Sequence, residues 1–400
     1  MKCLYTKRVV ESFSCPVCSE SGPLPLSTLT DMPLTTCQFA ESRADALRAA
    51  RGTLELVLCK SCGHIYNRAF EPNRVAYSPG YENALHFSAR HRTESEATAE
   101  RLIRSYALHH KTVVEFGCGT AEFLSLLCAK GSNLGVGYDP SQHNRTTRVG
   151  DGSVTICAKK FSSANQKSVD LVCSQHVLEH LDELLSTLGD ARACLKHGGI
   201  GYFQVPNGLA IFRDLNIWDL IYEHVSYFSP ASLHRALSET GFSVLRLETS
   251  FGGQYLDADV IAGEPTDAAQ PTLVGYSDFC GNFPAAFAKL VGHWKSRIAS
   301  LIESDRRIVL WGGGAKAVSF LNMLRLRADN GIEYVVDVNP RKAGLFVPGT
   351  AQEIVPPKYL CDYRPDVVVV MNPVYAAEIQ SMLESMRLRC DMITVSSTVA

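Results

Sequence analysis

The sequence predicts an α/β protein built from two Rossmann-like parts that follow a small N-terminal lobe. A strand, a glycine-rich turn and a helix occur in "KTVVEFGCGTAEFLSLLCAKG" and again in "RRIVLWGGGAKAVSFLNML". An apolar run that passes through glycines into a helical pattern is typical of the first βα unit of a doubly wound sheet. Two C-x2-C pairs precede both units. These observations divide the chain into residues 1–75, 76–262 and 263–400.

The composition is that of an ordinary globular protein. With 400 residues, of which 46% are hydrophobic and 20% charged, the chain is long enough for two or three domains. Its 39 Lys and Arg against 41 Asp and Glu give a net charge of -2, which offers no general attraction for nucleic acid. No apolar run is long enough to span a membrane, and the first residues do not resemble a signal peptide. We expect a cytoplasmic protein, monomeric or homodimeric, without membrane or nucleic-acid partners.

The two cysteine pairs predict a structural zinc site. Cys15 and Cys18 form one pair, and Cys59 and Cys62 form the other. Each pair can direct two thiolates at one ion, and four thiolates complete a tetrahedral site without an open position for catalysis. A redox dithiol or unrelated buried cysteines are the alternatives, and two matched pairs favour zinc over both. Two further thiols are alternative ligands, Cys3 and Cys37.

The first glycine-rich turn predicts a nucleotide-type site. Glu115 ends the strand, the turn contains Gly117, Cys118 and Gly119, and "SNLGVGYDP" supplies a second strand that ends at Asp139. Glycines let the backbone approach a ligand, and the acid after the second strand can bind both ribose hydroxyls. The E-x-G-x-G form resembles motif I of class I S-adenosylmethionine (SAM)-dependent methyltransferases. That resemblance implies that the turn and Glu115 lie at the amino-acid end of SAM and that Asp139 holds the ribose.

The following segment extends the same fold. Val169 to Cys173 is predicted as a strand, "HVLEHL" follows it, and "KHGGIGYFQVPN" is predicted as the next strand. Ligands of such sheets bind beyond the carboxyl ends of the strands. We therefore expect His180 near the reacting atoms and His176 near the cofactor. For His176 and Glu179, solvated positions at a helix start are an equal alternative.

The third part repeats the pattern after a predicted linker. "FGGQYLDADVIAGEPTDAAQPT" has the Gly, Pro, Ala and Asp content of a linker, and a helix is predicted roughly from Asn282 to Ser304. "IEYVVDVNP" then supplies a second strand ending in Asp337, and "PDVVVVMNP" a third. The repeat invites an NAD interpretation. A turn that serves packing alone and a nucleotide-type ligand other than a dinucleotide are the alternatives.

The stretch "WDLIYEHVSYFSP", residues 218 to 230, predicts acid–base chemistry. It places Glu223 beside His224 among apolar and aromatic residues that include Tyr222. A histidine near its ordinary pKa is both deprotonated and able to accept a proton at pH 7. A carboxylate can orient the ring and stabilise the imidazolium. The alternative is an ordinary helix start capped by Ser229, which explains "SP" but not "YEH".

The whole order of parts resembles the sugar C-methyltransferase family, which methylates a carbon of nucleotide-linked keto-deoxysugars. The most specific pieces are the cysteine pairs, "EFGCG", "EHVSYFS" and "VVDVNPRKAGLFVPGT". The resemblance covers most of the chain and implies a class I SAM-methyltransferase core between a zinc-binding lobe and a second Rossmann-like domain. The chain departs from the family at Ile221 and Tyr222, where Tyr and His are usual, and at Gly252 to Asp259, which lack a Ser and an Arg. A cousin subfamily is therefore indicated, and its acceptor stays open.

The resemblance also implies roles for the residues of the site. His224 is the expected general base that removes a proton next to a carbonyl, Glu223 is its electrostatic partner, and His180 and Tyr222 lie near the reacting carbon. Four more side chains are expected to contact the acceptor: Tyr77, Tyr81, Asn207 and Gln254. The third part is expected to bind the nucleotide or polar end of the acceptor, without NAD. An O- or N-methyltransferase is the nearer alternative, and an NAD-type oxidoreductase or binding module is the more distant one.

Overall fold

Three β-sheets organise the chain. The computed structural model describes residues 14–77, 79–263 and 276–395. They form a four-stranded antiparallel sheet, an eight-stranded mixed sheet and a five-stranded parallel sheet. The predicted α/β class with two Rossmann-like parts is confirmed. No helix among the described residues combines the length and the apolar character needed to cross a membrane.

The four-stranded sheet forms the N-terminal lobe. Its order is β1-β2-β3-β10, and its strands are Leu24–Pro33 (β1), Arg51–Leu58 (β2), Ile65–Asn67 (β3) and Ser226–Tyr227 (β10). A short helix, Arg43–Leu47 (α1), precedes β2. The fourth strand comes from the middle of the chain, because Ser226 pairs with Tyr66 in antiparallel register. The "EHVSYF" stretch is therefore attached to the N-terminal lobe.

The eight-stranded sheet forms the centre of the molecule, in the order β11-β12-β9-β8-β4-β5-β7-β6. Its strands are Thr112–Phe116 (β4), Leu134–Tyr138 (β5), Arg145–Val149 (β6), Gly152–Cys157 (β7), Val169–Gln175 (β8), Leu195–Pro206 (β9), Ser243–Ser250 (β11) and Tyr255–Ile261 (β12). The helices that accompany it are Ala89–Tyr106 (α2), Glu122–Gly131 (α3), Leu184–Cys194 (α4), Gly208–Phe212 (α5) and Pro230–Glu239 (α6). The central strands are parallel and almost wholly apolar, as expected where helices cover both faces.

Two sequence-based expectations about this sheet have opposite outcomes. Ser229 caps α6 as predicted, because its Oγ accepts a hydrogen bond from Ser232 N at 3.1 Å. The linker prediction is wrong for β12, which pairs with both β9 and β11. Asp259 lies on this strand and is fully buried against Arg101 and Tyr106 rather than solvated. The rest of the predicted linker, residues 264–272, lies outside the described residues.

The C-terminal part is a parallel sheet in the order β15-β14-β13-β16-β17. Its strands are Ile308–Trp311 (β13), Tyr334–Val336 (β14), Glu353–Val355 (β15), Val367–Val370 (β16) and Asp391–Thr394 (β17). Its helices are Tyr276–Glu303 (α7), Ala315–Leu324 (α8), Leu360–Tyr363 (α9) and Ala376–Ser385 (α10). Helix α7 starts earlier than the predicted Asn282 and continues through Pro284.

One carboxylate joins the C-terminal part to the central sheet. Glu378 of α10 accepts hydrogen bonds from Ser88 Oγ at 2.6 Å and from Ala89 N at 2.9 Å. These donors lie at the N-terminus of α2, where backbone N–H groups lack partners inside the helix and a negative charge is favourable. The contact fixes the C-terminal part beside the helix that precedes β4.

Candidate active site

The predicted glycine turn lies at the carboxyl end of β4, against the end of β5. Gly117 and Gly119 have positive φ angles of 65° and 51°, a region that glycine enters without strain. Gly119 N donates to Asp139 Oδ2 at 2.9 Å, and Asp139 Oδ1 accepts from Ser141 N at 2.8 Å. The turn and the acid predicted to bind a ribose are therefore in direct contact.

The two glycines meet different surroundings. A Cβ atom at Gly117 would lie 2.1 Å from Val177 Cγ2, whereas a Cβ at Gly119 would meet nothing within 4 Å. Gly117 is thus required for close packing of the turn against the segment after β8. A valine at Gly117 would collide with Val177 of the protein itself, so this substitution would disturb the packing of the turn whether or not a ligand is bound. Gly119 is the position whose open space is available to a cofactor.

Glu115 precedes this turn and Cys118 lies within it. Glu115 is 3% exposed and its Oε2 has no hydrogen-bond partner. Burial, followed by the charges of Glu122 and Asp139, raises its pKa well above the ordinary value. An unpartnered buried carboxyl oxygen beside an open turn fits the cationic amino-acid end of SAM. The Cys118 side chain instead packs over β5, since a Cβ at Gly137 would lie 2.5 Å from its Sγ, so only its backbone can face a cofactor.

The segment that packs on the turn carries His176 and His180. The exposed-helix-start alternative for His176 and Glu179 is wrong, because Glu179 is 2% exposed and His176 Nε2 is buried without a partner. The His176 ring lies edge-on to Tyr255, with 4.4 Å between ring centroids. Burial lowers the pKa of His176 to about 3, so the ring is neutral at physiological pH.

A histidine cluster follows, defined here as Tyr77, Glu179, His180 and His224. The His180 and His224 rings are 4.9 Å apart between centroids and nearly perpendicular. His180 Nδ1 lies 2.9 Å from Tyr77 Oη and 3.2 Å from the carbonyl oxygen of Glu223. Burial lowers the pKa of His180 to about 4 and that of His224 well below its ordinary value. Both rings are therefore neutral at pH 7, and their lowered pKa values make them weaker bases than a solvated histidine.

The Glu223 carboxylate does not contact the His224 ring. Its Oε2 accepts hydrogen bonds from Thr36 N at 3.0 Å and Thr36 Oγ1 at 2.6 Å. His224 Nδ1 has no partner. The two side chains are therefore not joined by a hydrogen bond, because neighbouring side chains in this extended turn point to different elements, and the electrostatic role of Glu223 stays a prediction. Burial raises the pKa of Glu223 to about 7, and the hydrogen bonds from Thr36 oppose that rise.

The four predicted zinc ligands converge in the N-terminal lobe. The Sγ atoms of Cys15, Cys18, Cys59 and Cys62 all lie within 4.8 Å of one another, and the closest pairs are 3.6 and 3.5 Å apart. A tetrahedral site with Zn–S bonds of about 2.3 Å needs sulfurs about 3.8 Å apart, so the donor set fits one zinc ion. Cys37 is buried beside Thr36 and Glu223 instead, and Cys3 lies outside the described residues.

Comparison with known proteins assigns the chain. Residues 88–247 match a family model described as a methyltransferase domain, and residues 274–393 match the C-methyltransferase C-terminal domain. The chain is a SAM-dependent methyltransferase with a C-methyltransferase C-terminal domain. It is 23% identical to the C-methyltransferase NovU of Streptomyces niveus over 290 residues, which are 67% of each chain. SAM is its cofactor.

Solved structures with a similar fold cover less than half of the chain. One is a SAM-dependent methyltransferase from Mesorhizobium loti, with 15% identity, 42% of this chain and 97% of that chain covered, and a TM-score of 0.33. Another is magnesium protoporphyrin IX methyltransferase from Synechocystis with bound S-adenosylhomocysteine, with 17% identity, 48% and 92% coverage, and a TM-score of 0.34. The family assignment rests on the domain matches and the Streptomyces relative.

Tyr222 of this methyltransferase is not in the histidine cluster. Its side chain is fully buried in the core of the N-terminal lobe, and its ring packs against Phe70 at 5.6 Å between centroids. Its hydroxyl accepts a hydrogen bond from Glu71 N at 3.0 Å. The expectation that Tyr222 lies near the reacting carbon is therefore wrong, since the residue fills a space beside Gly52 of β2.

The residues expected to contact the acceptor divide into two groups. Tyr77 belongs to the histidine cluster and Tyr81 lies beside it, with 5.2 Å between the two ring centroids. Burial, followed by the charge of Glu223, raises the pKa of both hydroxyls. Asn207 caps α5, accepting from Leu209 N at 3.1 Å and donating to Gly253 O at 2.9 Å. Its amide is thus engaged in holding the backbone.

Gln254 pairs with the C-terminal part. Its Nε2 donates to Asn372 Oδ1 at 2.7 Å, and its Oε1 accepts from Asn372 Nδ2 at 3.0 Å. Asn372 and Thr36 were not found from the sequence. Each meets its partner across more than a hundred residues of chain, and neither lies in a pattern that marks such a contact.

The glycine turn of the C-terminal part already has an internal cation. Lys342 is 4% exposed, and its Nζ lies 3.1 Å from Asp337 Oδ2 and 3.1 Å from Gly313 O. Asp337 is the acid that would bind ribose hydroxyls in an NAD site. Because Lys342 neutralises it and occupies the turn, the packing alternative for this turn is favoured over NAD binding.

We expect Asp139→Ala to weaken SAM binding by about 10- to 100-fold, the usual scale for losing hydrogen bonds to a charged group. The change removes the expected ribose acceptor and also the Gly119 N–H contact that shapes the turn. Titration calorimetry measures the effect. Ser141→Ala is the matched control, because it removes only one donor to the same carboxylate. Unchanged affinity in Asp139→Ala would place the site elsewhere.

Proposed function

We propose that this methyltransferase methylates a carbon next to a carbonyl in a nucleotide-linked keto-deoxysugar or a related metabolite, with His224 as the general base. One observation carries the proposal. The glycine turn packs directly on Val177, and the same segment leads into the histidine cluster. The expected methyl donor and a neutral buried imidazole therefore share one edge of the central sheet.

The residues of the cluster can perform the proton removal. A C–H bond next to a carbonyl breaks when a base accepts the proton and the electron pair moves to the carbonyl oxygen as an enolate. His224 is neutral at pH 7 and can take that proton. When bound, SAM would supply an electrophilic methyl group and would leave as S-adenosylhomocysteine, with the electron pair of the broken S–CH3 bond on sulfur. The enolate carbon gains the new C–C bond, and positioning of the two reactants supplies much of the rate.

The surroundings of the cluster support a small, polar acceptor. Tyr77 and Tyr81 offer aromatic faces and hydroxyls beside His180, and Gln254 with Asn372 joins the central sheet to the C-terminal part. We propose that the acceptor's reacting ring lies at the histidine cluster and that its nucleotide end lies against the C-terminal part. The relative from Streptomyces niveus is a C-methyltransferase, which favours carbon over oxygen or nitrogen as the methylated atom.

The metal and the compartment complete the proposal. We propose one structural zinc ion held by the four-cysteine cluster, since these sulfurs leave no open coordination position. We also propose a cytoplasmic location, supported by free thiols outside the four-cysteine cluster, such as those of Cys118, Cys128 and Cys173.

A product analysis tests the function. The enzyme is incubated with methyl-labelled SAM and a panel of nucleotide-linked keto-deoxysugars, and NMR locates the new methyl group. We expect the label on carbon. A carbon acid also requires that its α-proton exchange with deuterated water when enzyme, acceptor and S-adenosylhomocysteine are mixed. Label on oxygen or nitrogen would favour the alternative methyltransferases, and SAM-independent turnover with NAD would favour the oxidoreductase.

A further inference from the structure

Two residues of the histidine cluster each carry a buried polar atom that has no hydrogen-bond partner. The atoms are Glu179 Oε2 and His224 Nδ1. Glu179 is 2% exposed and His224 is 7% exposed. With His180, these residues bring one polar atom each to within 4.8 Å of one another. That separation is closed by one bridging water or by a small side-chain rotation.

We infer that Glu179, rather than Glu223, is the carboxyl group that positions the His224 imidazole, through a direct or water-bridged hydrogen bond to Nδ1. The inference rests on the proposed function, in which His224 is the base. Thr36 holds Oε2 of Glu223, and among the described residues it is Glu179, not Glu223, whose carboxyl group lies within 4.8 Å of ring nitrogens of both His180 and His224. Glu179 is a positioning residue, since it acts on the acceptor through His224.

The protonation of Glu179 selects the tautomer of His224. When the carboxylate accepts a hydrogen bond from Nδ1–H, the lone pair is on Nε2, and that atom can take the acceptor's α-proton. When the carboxyl group is protonated, it donates to Nδ1, and the ring proton stays on Nε2. Nε2 of His224 then carries a proton and cannot accept the α-proton of the acceptor. Ionised Glu179 also stabilises the imidazolium that forms when the C–H bond breaks.

Within the trio of Glu179, His180 and His224, Glu179 is the group whose pKa lies near neutral pH. His176 Nδ1 lies 3.8 Å from Glu179 Oε1. Other titratable or charged groups that face the pair are Tyr77, His180, Tyr227, Tyr255 and Lys316, the last paired with Asp219. Burial raises the pKa of Glu179 to about 8, while burial lowers those of His176 and His180 to about 3 and about 4. Glu223, with a pKa of about 7, is the control group.

The first test compares turnover from pH 6 to 9.5 in wild type, Glu179→Gln and Glu223→Gln. Wild-type turnover should rise with an apparent pKa of about 8 as the Glu179 carboxylate forms. Glu179→Gln should lower the plateau by at least about 10-fold and abolish the rise, with SAM affinity retained. Glu179→Asp should recover part of the plateau. Glu223→Gln should keep the rise. A Glu179→Gln profile parallel to wild type overturns the inference.

The second test needs no variant at Glu179 and decides the question if Glu179→Gln fails to fold. In ¹⁵N-histidine-labelled wild type, the His224 resonances are assigned from the spectrum of His224→Asn. Nδ1–H should dominate at pH 9 and Nε2–H at pH 6.5. One tautomer across the whole range overturns the inference. The inference is also overturned if wild type binds a metal ion in addition to the zinc and Glu179→Gln does not bind it. Glu179, His180 and His224 would then be a metal site.

The outcomes also separate this inference from the proposed function. If His224→Asn keeps full turnover, the proposed base is wrong and the inference fails with it. If His224 is required but Glu179→Gln behaves as wild type at every pH, only the positioning role of Glu179 fails.

Discussion

Replacing His224 by asparagine is expected to lower turnover by about 10²- to 10⁴-fold, the range for losing a positioned proton acceptor. The substitution keeps a polar side chain of lower bulk at a buried position between His180 and Tyr227. SAM affinity should be retained, because His224 lies outside the strand–glycine–helix unit at Gly117 to Asp139. Initial rates with saturating SAM, together with calorimetry, measure both quantities.

The matched control is His234→Asn on α6, a partly exposed histidine away from the cluster. It should leave turnover and melting temperature as in wild type. The α-proton exchange assay gives a second reading, since exchange should vanish in His224→Asn and persist in His234→Asn. Unchanged turnover in His224→Asn would show that His224 is not the general base. Residues 222–224 would then serve only the packing between the lobe and the central sheet.

Removing the zinc site is expected to have the other large effect. Zinc binding by four thiolates contributes about 10–16 kcal/mol in small zinc domains, more than the usual stability of a whole protein. Cys62→Ser should therefore lose zinc and unfold the N-terminal lobe. Elemental analysis should find one zinc per wild-type chain and none in the variant, and thermal melting should show the loss of structure.

The control for this experiment is Cys37→Ser, because Cys37 is a buried thiol of the same lobe that is not in the cluster. It should keep the zinc. Turnover should fall further than SAM affinity in Cys62→Ser. The strand that follows the knuckle, β3, pairs with β10, and His64 Nε2 lies 3.2 Å from Ser226 Oγ, two residues beyond His224. A folded, active Cys62→Ser enzyme without zinc would contradict the structural role.

The sequence was informative where structure depends on local pattern. The glycine turns, Asp139 after β5 and the Ser229 cap each follow from spacing within a single strand–turn–helix or turn–helix unit. The cysteine pairs could be matched because thiol spacing carries a strong metal signal. The fold class and the cofactor followed from these units.

The errors concern contacts between distant segments. Glu223 meets Thr36, and Tyr222 enters the lobe core, because β10 pairs with β3 of the N-terminal sheet. Nothing near residue 223 specifies that pairing. The β12 strand did have a signal, since its acidic residues alternate with Leu256, Ala258 and Val260. The glycines that flank β12 and the aspartates within it favoured a linker interpretation over a strand. The sequence also did not indicate that Arg101 and Tyr106 are buried partners of Asp259.

Ser226–Tyr227 pair with Ile65–Asn67, and this pairing limits which segments can be exchanged between related enzymes to make a hybrid. By position in the chain, the segment around His224 falls in the central part, but its backbone is an edge strand of the N-terminal sheet. A hybrid enzyme joined at residue 75 would combine one parent's lobe with the other parent's fourth strand. The position of His224 would then depend on a β3–β10 pair whose strands come from different parents. Crossovers that exchange residues 14–77 together with 218–230 keep both strands from one parent, so acceptor preference should be inherited through these two separated segments as a unit.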